Sequence, residues 1–105
     1  MVLEGFGDDP NIFKKRELMS RIEMFVSLLG LHIVKKTVHG FHPQGSSIVF
    51  ILEESHIAVH VWPENSYIHI DLVTCSKKTI RQLKVANLFK LCFLLRKGRV
   101  LKFHY

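Results

Sequence analysis

The sequence predicts an α+β fold, a two-layer sandwich in which a mainly antiparallel sheet carries two helices packed on one face. Three observations lead there. An apolar stripe at helical spacing comes first, runs of alternating apolar residues follow, and a second amphipathic stretch comes after them.

Taken in order, the first helix has Asp9 to cap it, Pro10 at its first position and Gly30 to end it. Leu18, Ile22, Phe25, Val26 and Leu29 form its apolar stripe, which needs a sheet to cover. Leu31 to Val38 is rich in β-branched residues and reads as a strand, and Gly40-Phe41-His42-Pro43-Gln44-Gly45 as a loop. Ser47 to Leu52 is a nearly continuous apolar run. His56 to Trp62 alternates, with Ile57, Val59 and Val61 on one face and His56, Ala58, His60 and Trp62 on the other. After a Pro63-Glu64-Asn65-Ser66 turn, Tyr67 to Val73 alternates again and groups Ile68, Ile70 and Leu72. A second helix is expected from about Ser76 or Thr79 to Lys97, burying Ile80, Leu83, Leu91, Leu94 and Leu95 and ending at Gly98. Val100, Leu101 and Phe103 suggest a last short strand.

With 105 residues and 48% hydrophobic composition, the chain is expected to be one globular domain, residues 1–105. No apolar run reaches the length of a membrane span. The N-terminus lacks a basic region followed by an apolar stretch, so a soluble cytoplasmic protein is expected. The net charge of +6 invites a nucleic-acid partner, yet Lys and Arg are scattered over both helical segments and the C-terminal tail, with no nucleic-acid-binding motif. A solvated basic surface is the expectation. Cys75 and Cys92 read as free thiols, with Cys92 a small buried hydrophobe.

The reactive residues concentrate between Ser47 and Cys75. A serine such as Ser55 can attack the carbonyl of the preceding residue if a tight turn strains that bond. The resulting Glu54 ester is labile, and loss of the Ser55 Cα proton expels the carboxylate. The dehydroalanine left behind hydrolyses to a pyruvoyl group. The reaction needs a hydroxyl to polarise the carbonyl and a base for the Cα proton, and Ser47 and His60 are the right residue types. By itself Ser55 reads more readily as an ordinary hairpin-turn serine than as a nucleophile. His56 and His60 share a strand face, which raises a zinc site, but no metal-binding motif supplies further ligands and none is expected. Cys75 closes a strand before the second helix, where a helix dipole favours the thiolate; a packing cysteine is its other reading. His32, His39, His42, His69 and His104 read as structural or surface residues.

These segments together resemble the small bacterial and archaeal members of the pyruvoyl-dependent S-adenosylmethionine decarboxylase proenzyme family. Leu3-Glu4-Gly5-Phe6-Gly7-Asp8 is similar to its opening strand and aromatic-glycine turn. Phe41-His42-Pro43-Gln44-Gly45-Ser46-Ser47 is similar to its phenylalanine-proline-glycine-serine loop, and Glu54-Ser55-His56 to its cleavage site. His60-Val61-Trp62-Pro63-Glu64 resembles the processing histidine with its tryptophan-proline-glutamate, and Thr74-Cys75 the proton donor. The resemblance implies cleavage between Glu54 and Ser55, giving a β chain of residues 1–54 and an α chain of residues 55–105 capped by a pyruvoyl group derived from Ser55. That group would form a Schiff base with the substrate amine and act as electron sink. Cys75 would return the proton, Phe6 and Phe41 would lie against the adenine, and Glu64 would accept from the ribose hydroxyls.

The resemblance also implies homodimers with composite sites. Phe41, Ser47, His60 and Glu64 of one protomer would complete the site around Ser55 and Cys75 of the other. The product would serve spermidine synthesis. Ile48, Val61 and Ser76 replace the family's usual glycine, threonine and glycine, Phe6 a common tyrosine, and Asn65-Ser66 a tyrosine-glycine turn. These changes leave the processing groups in place and bear on the substrate pocket, so the same chemistry on ornithine or arginine is the alternative. An uncleaved regulatory paralogue is a third reading.

Overall fold

The computed structural model of the chain describes residues 1–40, 45–53, 55–74 and 82–101. They form six strands, β1 (Val2–Gly7), β2 (Ile33–Gly40), β3 (Ser46–Leu52), β4 (Ser55–Trp62), β5 (Tyr67–Thr74) and β6 (Leu95–Leu101), with helices α1 (Lys15–Leu28) and α2 (Gln82–Cys92). The strands make one sheet in the order β2-β3-β4-β5-β1-β6, and every neighbouring pair is antiparallel. The expected two-layer α+β sandwich is what forms. β2 to β5 follow the chain as a meander, whereas β1 is inserted between β5 and β6 from the far end of the sequence.

One face of the sheet is apolar because every second residue is. Ile48, Phe50, Ile57, Val59, Ile68 and Ile70 are fully shielded there, and α1 sets its expected stripe of Leu18, Ile22, Phe25, Val26 and Leu29 against them. Phe25, Phe89 and Phe93 join the two helices, with ring centroids 5.6–6.2 Å apart. Arg21 on α1 donates to the Cys92 carbonyl at 2.9 Å, occupying an acceptor that the end of α2 leaves open. Cys92 itself is a buried free thiol, as the sequence suggests. No helix among the described residues is long and apolar enough to cross a membrane.

Asp9 does cap the N-terminal element, accepting from Asn11 N at 2.9 Å, but the element is a short 3-10 helix, Pro10–Phe13. Lys14 is extended there, and α1 starts afresh at Lys15. Gly30, at φ +77°, lies just past α1 in the left-handed conformation that glycine adopts without steric cost.

The second helix departs from expectation. It ends at Cys92, and Leu95–Leu101 is strand β6, so Leu95 is not part of a helix and Gly98 is not its terminator. Val85, Phe89, Cys92 and Phe93 face the core, while Leu83 and Leu91 are exposed, as is Leu94 beyond the helix end. Leucines spaced three and four apart satisfy either helix face, and pairing with β1 decides the matter. Leu94 takes the turn between α2 and β6 with φ +51°, a conformation that costs a branched residue roughly 1–2 kcal/mol. Ile80 and Phe103 lie outside the described residues.

Gly98 instead pairs in register with Gly5 beneath α2. A Cβ on Gly5 would sit 2.6 Å from Leu95 Cδ1 and 2.9 Å from the Lys97 carbonyl oxygen, a backbone atom with no room to yield. Gly5→Ala is therefore expected to cost about 1–3 kcal/mol, read as a lower denaturation midpoint; an unchanged midpoint would mean β6 moves aside freely.

The two edge strands carry Lys35 and Lys36 on β2 and Arg96, Lys97 and Arg99 on β6. Charged side chains on an unpaired edge discourage strand addition by another molecule, which accounts for part of the basic excess without a nucleic acid.

Candidate active site

The sheet face away from the helices holds the polar residues, and strand register arranges them. His39 on β2, Ser47 on β3, His60 on β4, His69 on β5, Glu4 on β1 and Arg99 on β6 are successive register partners. They make one row across the sheet, at right angles to the strands. Directly opposite residues on neighbouring antiparallel strands stand close enough for their side chains to interact.

Within the row Ser47 Oγ and His60 Nδ1 stand 2.6 Å apart, so the two residues named from the sequence as polariser and base are brought together. Burial, and next the neighbouring His69, hold His60 below the usual imidazole range, against the opposing pull of Asp71. A neutral His60 is the result near neutral pH. With its hydrogen on Nδ1, it donates to the Ser47 oxygen; the Ser47 proton is then available to a carbonyl, and the Nε2 lone pair is a base. One hydrogen-bonded pair thus supplies both functions.

Farther along the row, Tyr67 Oη donates to Glu4 Oε2 at 2.9 Å and lies 3.3 Å from His69 Nδ1. Arg99 Nε donates to Glu4 Oε1. These donors, Tyr67 first, hold the Glu4 carboxyl below the usual carboxylate range despite slight desolvation. Burial, reinforced by the Glu4 acceptor, pushes Tyr67 up to about 12. Asp71 shares the same face of β5, and its Oδ1 is buried without a hydrogen-bond partner.

Beside the row, two residues along the strands, the register partners Trp62, Tyr67 and Phe6 make the surface aromatic. Phe6 and Tyr67 have ring centroids 5.1 Å apart, and Trp62 stands 5.6 Å from Tyr67 and 6.2 Å from His60. Glu64 is exposed in the 3-10 helix Pro63–Asn65 that follows Trp62 directly. Phe6 and Glu64 therefore sit near the same end of the sheet. Trp62 and Phe6 are each more than one third exposed, an unusual expense of aromatic surface on one sheet face.

Ser55 lies elsewhere. It opens β4 after the two-residue link Glu53-Glu54, pairs with Leu52 and Thr74, and directs Oγ 3.3 Å from the Glu53 carbonyl oxygen. Its strand parity is that of Ile57, Val59 and Val61, the helix-covered side, whereas His60 faces the open side. Five residues of strand also separate the two by about 16 Å. Glu54, Phe41 and Cys75 lie outside the described residues; Thr74, one residue before Cys75, is the register partner of Ser55. Among the described residues no group of three or more His, Cys, Asp or Glu is placed to hold a metal ion.

The family model described as S-adenosylmethionine decarboxylase matches residues 1–103. A protein of Clostridium botulinum named S-adenosylmethionine decarboxylase proenzyme is 42% identical over 98 residues, covering 86% of this chain and 83% of its own. The chain belongs to the S-adenosylmethionine decarboxylase family. A proenzyme of the same name from Caldicellulosiruptor saccharolyticus is 34% identical over 79 residues, covering 74% of this chain and 64% of its own. The crystal structure of the adenosylmethionine decarboxylase from Aquifex aeolicus superposes with a TM-score of 0.68, covering 99% of this chain and 92% of that one. At 16% identity that likeness concerns the fold.

Within this S-adenosylmethionine decarboxylase family member, the sequence reading did not group Glu4, Tyr67, His69 and Asp71 with Ser47 and His60 on the open face. It set His69 aside as structural or surface, but His69 stands directly opposite His60. A usable signal was present. Grouping Ile68, Ile70 and Leu72 on one face of β5 necessarily puts Tyr67, His69 and Asp71 on the other.

Proposed function

We propose that the protein cuts its own chain between Glu54 and Ser55 and then decarboxylates S-adenosylmethionine. The observation that carries this reading is the Ser47–His60 contact at 2.6 Å on a chain of this family. In the first step Ser55 Oγ attacks the Glu54 carbonyl carbon while the Ser47 hydroxyl polarises the oxygen. The Glu54–Ser55 C–N bond breaks, the hydroxyl proton passes to the freed Ser55 amine, and an ester holds the two pieces together. His60 Nε2 next removes the Ser55 Cα proton, the Glu54 carboxylate leaves, and the chain parts into residues 1–54 and 55–105.

Ser55 fits the origin of a pyruvoyl group, since it follows a short hairpin link and is not sealed in the core. When present there, the group supplies an electron sink for loss of carboxylate. Around it, Cys75 returns a proton to the substrate carbon, Phe6 and Phe41 stack on the adenine, and Glu64 accepts from the ribose. The product is an aminopropyl donor of the kind spermidine synthesis uses. The named relatives favour S-adenosylmethionine over ornithine or arginine.

The site is composite in this reading. His60 is about 16 Å along the strand from the Ser55 of its own chain and faces the other way, so processing calls for Ser47 and His60 of a second copy. The exposed Phe6, Val49, Ile51 and Trp62 on the open sheet face give a homodimer an apolar surface to bury. We place the enzyme in the cytoplasm, where the Cys92 thiol stays reduced.

Intact mass spectrometry of the purified chain tests the first half, and carbon dioxide release from S-adenosylmethionine, ornithine and arginine tests the second. Two fragments meeting at Glu54/Ser55, the second with a pyruvoyl end, and release from S-adenosylmethionine are expected. A single uncut mass would overturn self-processing, and release from an amino acid alone would overturn the substrate.

A further inference from the structure

The processing chemistry leaves two imidazoles of the row unused, His39 and His69, and His69 is the one directly opposite His60. His69 faces His60 across the β4–β5 pair, with ring centroids 6.1 Å apart and planes inclined by 48°. It is held from the other side as well. Tyr67 has one proton, and the ionised Glu4 carboxylate takes it at 2.9 Å. The Tyr67 oxygen therefore accepts from His69 Nδ1 at 3.3 Å, which fixes the hydrogen of His69 on that nitrogen. A carboxylate that reaches a histidine through an intervening hydroxyl orients the ring, as outer-shell carboxylates do elsewhere.

We propose that His69 is a positioning residue for His60: held opposite it by Tyr67 and Glu4, the His69 ring keeps His60 a neutral base beside Ser47 as the pH falls. The proposal rests on the reading of His60 as the processing base. Like charges on adjacent rings in a partly desolvated face repel, so a proton on His69 opposes one on His60. The lowered affinity of His60 for its proton has His69 as its second cause after burial, which agrees with this direction.

The other groups around His60 divide. Asp71 on β5 pulls the opposite way, favouring the charged ring. Ser47 on β3 is the direct partner, with His39 on β2 behind it in register. On β4, Ala58 and Trp62 share its face without charge, and His56 shares it four residues away. Arg99 on β6 lies beyond Glu4 in the row and pairs with that carboxylate. Among these, His69 is the imidazole that stands directly opposite the His60 ring.

Two variants test the idea in the full chain, His69→Gln and Tyr67→Phe. The first removes the ring, and the second cuts the link to Glu4 while leaving the ring. Self-cleavage rates are followed against pH for each. In parallel, the His60 imidazole is titrated by NMR in the Ser55→Ala background, where no cleavage intervenes. The expected result is an upward shift of the His60 midpoint and of the acid limb of cleavage, larger in His69→Gln than in Tyr67→Phe. A purely structural role for His69 would lower the rate at every pH without moving the limb. An unmoved midpoint in both variants would overturn the proposal. If the wild-type chain does not cut itself while the His60 midpoint still rises, the processing reading fails and the coupling of the two histidines stands.

Discussion

Ser55→Ala is expected to yield one uncut chain and no decarboxylation. The substitution removes the sole oxygen able to attack the Glu54 carbonyl from the next residue, and no base or polariser compensates for a missing nucleophile. The loss should be complete, with no slow residual cleavage over days. Stability should barely change, because Ser55 is partly exposed and its side chain makes one long hydrogen bond, 3.3 Å to Glu53 O. Removing it should alter unfolding free energy by no more than about 0.5–1 kcal/mol. Mass spectrometry and a thermal melt on the same sample therefore separate the chemistry from the fold. Cleavage at Glu54/Ser55 in this variant would sink the assignment.

His60→Ala should fail later in the same sequence. The ester between Ser55 and Glu54 can still form, with Ser47 retained, but nothing then removes the Ser55 Cα proton. Loss of a positioned general base typically slows such a step by about 10²–10⁴-fold. The variant should remain largely uncut in buffer, and hydroxylamine should cut it, because an ester yields to that nucleophile and an amide does not. The masses distinguish the two routes. Hydroxylamine leaves a hydroxamate on Glu54 and an ordinary serine at the start of the second fragment, whereas native processing leaves a pyruvoyl end. An ester that never accumulates would mean that His60 acts earlier, through its hydrogen bond with Ser47 Oγ.

The two histidine experiments report on different properties of one ring. Removing His60 tests whether a base is needed, and altering His69 tests what keeps that base neutral. The NMR titration of His60 can be read whatever the ester experiment shows, whereas the cleavage–pH profile depends on His60 being the base.

Much of this architecture was legible along the chain. The stripe Leu18, Ile22, Phe25, Val26 and Leu29 marks α1 because helical periodicity gives it a single apolar face, and all five residues are buried. β4 was legible for the corresponding reason at period two, with Ile57, Val59 and Val61 buried and His60 turned outward. The segment from Leu83 to Leu101 was not. Its leucines continue a helical spacing through Leu94 and Leu95, and local preference has no knowledge of β1, the strand that claims Leu95–Leu101 as a partner. Phe89 and Phe93 take the core positions because Phe25 on α1 offers them an aromatic surface.

The active-site reading divides in the same way. Ser47, Ser55 and His60 were identifiable as residue types at a telling spacing, since self-cleavage needs a nucleophile, a polariser and a base. The sequence by itself determined those reactive groups, the alternation that exposes His60 and the family to which the chain belongs. Only the tertiary structure decided which residues share the open face as neighbours. Glu4 and His69 are far apart in the chain and become register partners because β1 inserts beside β5. The physical reason is that alternation fixes which face a side chain takes, but not which strand lies alongside or in what register. Those depend on long-range pairing and on how the helices cover the sheet, and they set the distance from Ser47 to His60 and from His60 to His69.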